Sequence, residues 1–171
     1  MRVRDHIALS TAGAAMLRPW LGNGVFGLWA GGVLIDADHY LWFCLKERRW
    51  SVPRAMRFFN ESHPPQHPAT RALHAPLALI AAALASLRWR DLRPAVVGMG
   101  VHVALDRSHG ARMERARAAV LTRDECLCHE CGTRTESIEA HLGRQPWLLP
   151  SYGTHNLIPL CGPCHEAVHA R

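Results

Sequence analysis

Four cysteines in the last third of the chain have the spacing of zinc ligands. They form two Cys-x-x-Cys pairs, Cys128/Cys131 and Cys161/Cys164. Thiolates of such pairs converge on one tetrahedral ion, so two pairs predict a closed, structural Zn²⁺ site. Metal binding supplies folding energy, which would let a segment with a small core fold. No signal peptide is evident, and we therefore expect a reducing, cytoplasmic compartment rather than disulfide pairing.

A second set of polar residues lies between and directly after these pairs. They stand in the ordered segments RDECLCHECG, SIEAH and HNLIPLCGPCH, and a plain zinc ribbon would not need them. This combination resembles the HNH endonucleases, the ββα-metal nucleases, over residues 123–169. The resemblance implies DNA cleavage by a catalytic divalent ion (Mg²⁺, Mn²⁺, Ni²⁺ or Zn²⁺) that His141 and His165 hold between a β-hairpin and a helix. His169 lies one turn after His165 on the same helical face, so it can join His165 on the ion. The resemblance also implies that Asn156 fixes the hairpin loop through its amide, so the catalytic set is His141, Asn156 and His165.

One position departs from the pattern of that family. Its strand usually ends in two adjacent polar residues, of which the first binds metal and the second is the general base. Here the strand ends in Glu139-Ala140-His141-Leu142. Either His141 is the metal ligand and Leu142 stands where the base belongs, or His141 is the base and Ala140 stands where the ligand belongs. Glu139, His155 or a metal-bound hydroxide could substitute, and a non-catalytic module that binds nucleic acid or a protein is the alternative.

The loop of this module contains side chains suited to nucleic acid. Trp147 and Tyr152 could stack on nucleobases, with Arg144 beside them, although packing against the rest of the chain is an alternative for both aromatic rings. Residues 111–171 carry seven Lys/Arg and seven Asp/Glu, whereas residues 1–110 carry 13 against 7. Since phosphate contacts dominate affinity for DNA, the first half must help to hold a DNA substrate.

Long apolar stretches without period-two alternation predict that the first half is helical. We expect helices over about 5–17, 25–46, 51–59, 69–88 and 92–108. The fold class is therefore mainly α, with an N-terminal helical bundle at 1–110, a helical connector at 111–122 and a small zinc-stabilised ββα-metal module at 123–171. The apolar runs are too short to span a membrane, so buried helices are favoured. Contact with an anionic membrane surface, such as the inner membrane, stays open, and so does the oligomeric state.

Polar residues interrupt these apolar stretches. His102 and Asp106 are four apart and so share one helical face, which suits a transition metal. The other members of the set are His6, Asp36, Asp38, His39 and His74. Buried ionisable groups are costly unless they pair or share a cation, so the set predicts a possible second metal site. The alternative is that each is a capping residue or a satisfied core group.

These residues resemble those of the predicted membrane-bound, metal-dependent hydrolases over about residues 3–108. That family carries an early His, a DxDH-type motif, a later His and a final HxxxD. The helical zinc-dependent phospholipases C also use an HxxxD pair, so the resemblance implies phosphoester chemistry. The sequence thus leaves three hypotheses: an HNH-type endonuclease, a phosphoesterase of the N-terminal cluster, or a non-catalytic zinc module.

Overall fold

A computed structural model describes residues 2–61, 71–144, 149 and 151–169, except for the side chains of residues 60, 61 and 169. Within these residues the chain is mainly helical, which confirms the predicted fold class. The helices are α1 (Val3–Leu21), α2 (Gly24–Leu34), α3 (Ala37–Glu47), α4 (Val52–Glu61), α5 (Pro76–Arg88), α6 (Arg93–Arg123) and α7 (Gly162–His169). The strands are β1 (Ile138–Leu142) and β2 (Leu157–Cys161). The chain divides into two compact units, residues 1–106 and 107–171.

Three of the predicted helices have different bounds in the structure, and the one expected over 69–88 begins only at Pro76. The single helix expected over 25–46 is wrong, because the chain breaks between α2 and α3 at Ile35 and Asp36. Asp36 becomes the residue before α3, and its side chain makes no capping hydrogen bond to that helix. The break expected near residue 110 is also wrong, since α6 continues without interruption to Arg123. A glycine at that position costs a helix only about 1 kcal/mol, which neighbouring residues can offset.

Glycines let α2 and α6 approach each other closely. A side chain on Gly31 would overlap the carbonyl group of Ala95, and one on Gly98 would overlap the carbonyl oxygen of Leu28. Because the obstructing atoms belong to the backbone, no rotamer change could relieve the overlap. On the other side of α2, the indole N–H of Trp29 donates a 3.0 Å hydrogen bond to the hydroxyl of Thr11 in α1. These contacts place α2 directly against both α1 and α6.

Helices α3 and α4 enclose an aromatic core in the first unit. Phe43, Cys44 and Ala55 are buried there, and three partly buried aromatic residues pack around them: Tyr40, Phe58 and Phe59. Phe59 also meets the ring of His39 edge-on, with the ring centroids 5.4 Å apart. The start of α3, where Asp38 and His39 lie, is therefore held in place by its packing against the aromatic residues of α4.

The second unit is built around an antiparallel hairpin. Strand β1 pairs with β2 so that Ile138 lies opposite Cys161 and Leu142 lies opposite Leu157. At one end, Ile138 and Cys161 pack with Cys128 and Leu160. At the other end, Leu142 packs with buried residues of α6 and β2: Ala116, Val120 and Leu157. Because side chains alternate along a strand, Glu139 and His141 point to the opposite face of the hairpin.

None of the described helices is long and apolar enough to cross a membrane.

Candidate metal centres

The four predicted zinc cysteines come together in the second unit. Their sulfur atoms lie within 4.8 Å of one another. Cys128 and Cys131 lie in the turn after α6, where Gly132 adopts the left-handed conformation that favours glycine. Cys161 ends β2 and Cys164 lies in the first turn of α7. The hairpin and the helix that follows it thus deliver one pair, and the preceding turn delivers the other.

The spacing of these sulfur atoms suits zinc. The Sγ atoms of Cys131 and Cys161 are 3.6 Å apart, and a tetrahedron with Zn–S bonds of about 2.3 Å has edges of about 3.8 Å. Without a cation the thiols compete: the hydrogen bond with Cys161, together with burial and the other sulfur atoms, raises the pKa of the Cys164 thiol to about 12. Backbone amides outweigh burial at Cys128 and lower the pKa of its thiol to about 6. The cluster could hold one Zn²⁺ ion, which would remove this competition.

His141 and His165 face each other across the hairpin and α7. Their ring centroids are 5.1 Å apart and the rings meet edge-on. Glu139 joins them, since its Oε2 lies 3.0 Å from Nδ1 of His165. A carboxylate that accepts the Nδ1–H of a histidine leaves Nε2 of that ring for a metal. His169 is the last residue of α7, but its side chain lies outside the described part of the chain.

Asn156 closes the loop between the two strands. Its Oδ1 accepts a 2.9 Å hydrogen bond from the backbone N–H of Arg144, and its Nδ2 donates a 2.7 Å bond to the carbonyl oxygen of the same residue. The backbone N–H of Gly143 donates to the carbonyl of Asn156 over 2.9 Å. Both functions of the amide are therefore used on the backbone, and the mouth of the hairpin is held at a fixed width.

The two candidate positions for a general base have different surroundings. Leu142 packs into the apolar cluster with α6 and β2 and offers no ionisable group. Glu139 has a side chain that is 64% exposed, so water reaches it beside His165. His155 is exposed and lies in the short 3₁₀ turn before β2. Glu139 is in contact with one of the paired histidines, His165.

The predicted nucleic-acid contacts fall in different places. Trp147 lies outside the described residues. The hydroxyl of Tyr152 lies 2.9 Å from Nδ1 of His109, and the guanidinium of Arg112 lies 5.7 Å from the centre of the tyrosine ring. Arg144 is exposed at the end of the hairpin. The ring of Tyr152 is thus in contact with two residues of α6, as the alternative of packing within the chain expects.

In the first unit, six of the seven predicted polar residues form overlapping groups of potential metal ligands. The groups are His6/Asp36/His102, Asp36/His39/His74 and His74/His102/Asp106, and the ligand atoms of each lie within 4.8 Å of one another. They come from α1, the turn between α2 and α3, the first turn of α3, the turn before α5, and α6. Asp38 is the seventh predicted residue, and it belongs to none of these groups.

Three of these side chains have the spacing of a single coordination sphere. Oδ1 of Asp36 lies 3.4 Å from Nε2 of His74 and 3.4 Å from Nε2 of His102, and the two nitrogen atoms are 3.2 Å apart. Bonds of about 2.0 Å to a tetrahedral ion place neighbouring ligand atoms about 3.3 Å apart. These three atoms suit one divalent ion bound by two imidazoles and one carboxylate. Oδ2 of Asp106 lies 3.7 Å from Nε2 of His102, in the neighbouring group of His74, His102 and Asp106.

The ring of His102 is held from its other side. Its Nδ1 donates a 2.7 Å hydrogen bond to the carbonyl oxygen of Gly32, so Nε2 is free to face the cluster. His6 stacks on His102 with a centroid separation of 3.7 Å and donates from Nε2 to Oδ1 of Asp106 over 3.0 Å. Such contacts orient metal ligands. The role of Gly32 could not be predicted from the sequence, because every residue has a backbone carbonyl and the residue type does not show which one accepts a hydrogen bond.

Hydrogen bonds from the histidines keep a carboxylate of this cluster ionised. Burial alone would raise the pKa of Asp36, but hydrogen bonds from His102 and His74 outweigh burial and hold that pKa well below its usual range. Burial alone would lower the pKa of His74, but Asp36 and Asp38 raise it to about 9. A buried negative charge is thus balanced by a proton on His74, and a divalent cation could take the place of that proton.

The members of this cluster differ in their exposure to solvent. The side chains of Asp36, Asp106 and His39 are 13%, 18% and 20% exposed, whereas that of His102 is fully buried.

No protein-family model, curated protein or solved structure matches this chain.

Proposed function

We propose that the chain is a metal-dependent, HNH-type endonuclease that hydrolyses DNA phosphodiester bonds. The observation that carries the proposal is the hairpin closed by Asn156, with His141 and His165 facing each other between β1 and α7. The four cysteines beside it could hold the Zn²⁺ ion that fixes α7 on the hairpin. The order of these features along the chain is the one that the HNH motif requires.

The residues present fit a catalytic divalent ion. His141 and His165 would hold it, and His169 follows one turn after His165 on the same helix. When bound, such an ion polarises the scissile phosphate and stabilises the departing 3′ oxygen. Glu139 fixes the ring of His165 and, being exposed, can accept the proton of an attacking water. Asn156 holds the ends of the two strands together through its hydrogen bonds to the backbone of Arg144.

The test is nicking of supercoiled plasmid by the full-length protein with Mg²⁺, Mn²⁺ or Ni²⁺. His165→Ala and His141→Ala should each lower the rate by roughly 100-fold or more, in the range of losses for groups that act in proton transfer or charge stabilisation. His129→Ala is a matched control, because His129 is an exposed histidine of the same module. The proposal fails if folded, zinc-loaded wild-type protein cuts no DNA, and binding without cleavage would support the non-catalytic module instead.

We propose a second candidate function, a metal-dependent phosphoesterase centred on the N-terminal cluster. It is favoured by the triangle of Asp36, His74 and His102, whose edges of 3.2–3.4 Å suit one ion. When bound, that ion would act as a Lewis acid on a phosphoryl oxygen. The test is hydrolysis of p-nitrophenyl phosphate and bis(p-nitrophenyl) phosphate. His102→Ala should abolish it and His165→Ala should leave it unchanged, whereas hydrolysis that survives His102→Ala would exclude this site.

A further inference from the structure

Asp38 lies beside the N-terminal cluster but outside every group of converging ligand atoms in the described residues. Its side chain is only 6% exposed. A buried carboxylate is costly unless hydrogen bonds compensate the loss of water. The contacts of its two oxygen atoms therefore indicate what this residue does.

Both oxygen atoms of Asp38 are already engaged. Oδ1 accepts a 2.7 Å hydrogen bond from the backbone N–H of His39 and lies 2.6 Å from Nδ1 of the same residue. Oδ2 accepts a 2.9 Å bond from the backbone N–H of Leu73 and lies 3.3 Å from Nδ1 of His74. Asp38 thus ties the first turn of α3 to the turn before α5. A metal ion would have to displace these donors to bind this carboxylate.

The ring of His74 lies between Asp38 and the rest of the cluster. Its Nδ1 faces Asp38, and its Nε2 lies 3.4 Å from Asp36 and 3.2 Å from Nε2 of His102. A neutral imidazole binds a metal through one nitrogen, and the hydrogen bond made by the other nitrogen selects which one. The acceptor on the Nδ1 side is Asp38.

We propose that Asp38 is a positioning residue, which accepts the Nδ1–H of His74 and so presents the Nε2 lone pair of His74 to a divalent cation held with Asp36 and His102. The proposal rests on the second candidate function, because it concerns the same site. The two aspartates of the segment Asp36-Ala37-Asp38-His39 then have different tasks. Asp36 binds the ion, and Asp38 orients a ligand from outside the coordination sphere.

The experiment is a Co²⁺ titration of the full-length protein that carries one equivalent of Zn²⁺ for the cysteines. The d–d absorption of Co²⁺ reports its ligands and geometry. Wild-type protein should bind one Co²⁺ at this cluster, apart from any ion held by His141 and His165, and Asp36→Ala should bind one Co²⁺ fewer than the wild type. Asp38→Ala should bind Co²⁺ about 10–100-fold more weakly, the usual cost of losing such an outer contact, with an unchanged absorption band at saturation. Asp38→Asn keeps one acceptor oxygen for His74, so its affinity for Co²⁺ should lie between those of the wild type and Asp38→Ala.

A direct measurement on the wild type complements the variants. In the ¹⁵N spectrum of the Zn²⁺-loaded protein, the ring of His74 should carry its proton on Nδ1. This readout does not depend on whether Asp38→Ala folds, and it shows directly which nitrogen of His74 binds the ion.

The possible failures are distinguishable. A changed absorption band in Asp38→Ala at saturating Co²⁺ would make Asp38 a ligand, and an unchanged affinity would remove its role; either result overturns the proposal and leaves the phosphoesterase function standing. A proton on Nε2 of His74 would also overturn it. If Asp36→Ala binds as much Co²⁺ as the wild type, the metal site and the second candidate function fail together.

Discussion

Substitution of Gly98 by alanine tests how the crossing of α2 and α6 supports the N-terminal cluster. The added Cβ would overlap the carbonyl oxygen of Leu28 and crowd the backbone nitrogen of Gly32, at 2.8 Å. Neither atom can move without displacing α2. Overpacking of this kind typically costs about 1–3 kcal/mol, whereas alanine gains about 1 kcal/mol over glycine in helix propensity. Because the overlapped atoms are backbone, we expect a cost at the upper end of this range, about 3 kcal/mol, so the free energy of unfolding should fall by about 2 kcal/mol.

Thermal unfolding followed by circular dichroism measures this effect. For a chain of this size about 1 kcal/mol corresponds to roughly 2–4 °C, so Tm should fall by about 4–8 °C. Gly100→Ala is the matched control, because Gly100 lies on the same helix and an added Cβ there meets nothing within 4 Å. It should raise Tm by about 2–4 °C through helix propensity alone.

The same substitution should weaken metal binding at the cluster. His102 follows Gly98 by one turn of α6, and its Nδ1 bonds to the carbonyl of Gly32 on α2. Separation of the helices lengthens this bond and releases the ring. The stabilisation by added Co²⁺ should therefore be smaller in Gly98→Ala than in Gly100→Ala. If Gly98→Ala and Gly100→Ala raise Tm above that of the wild type by the same amount, α2 and α6 do not cross as closely as described and the reasoning is refuted.

Three further predictions concern the second unit. Cys161→Ser, or removal of zinc by a chelator, should unfold the hairpin and α7 while the helices of residues 1–106 persist. The reason is that structural zinc contributes on the order of 10 kcal/mol to the folding of such modules. Loss of the β1–β2 signals in NMR spectra would show this unfolding. Asn156→Ala removes two hydrogen bonds and should lower the free energy of unfolding of this unit by about 1–3 kcal/mol. It should also slow plasmid nicking, and an unchanged nicking rate would contradict the role of Asn156. Tyr152→Phe keeps the ring but loses the hydroxyl beside His109, so its affinity for DNA in a filter-binding assay should equal that of the wild type. Tyr152→Ala loses the ring and should bind DNA more weakly. Equal affinities for the wild type and both variants would exclude base stacking by Tyr152.

The parts of the fold that depend on residue type and spacing were predictable. The two Cys-x-x-Cys pairs indicated a four-cysteine cluster because thiolate spacing is nearly independent of the surrounding fold, and those sulfur atoms do converge. The apolar stretches without period-two alternation indicated helices, because this pattern also depends on residue type along the chain rather than on distant contacts. The turn at Asp36 was missed, because an aspartate within an apolar stretch does not by itself show whether the helix continues or breaks.

The parts that depend on three-dimensional contacts were not predictable. The sequence grouped Asp38 with the metal ligands, because its spacing from Asp36 says nothing about which oxygen faces which ring. The contact of Asp38 with Leu73 and His74 arises only when the turn before α5 meets the start of α3. The carbonyl of Gly32 was invisible for a similar reason, since its role follows from the close approach of α2 to α6 rather than from a side chain.

The most direct test of the HNH assignment is the chemistry of the DNA ends that the wild-type protein produces. An ion that stabilises the departing 3′ oxygen leaves a 3′ hydroxyl and a 5′ phosphate, so DNA ligase should reseal the nicked plasmid. The same preparation of His165→Ala should produce no such nicks. Nicks that ligase cannot reseal, or wild-type nicking that persists at the full rate in His165→Ala, would contradict the account.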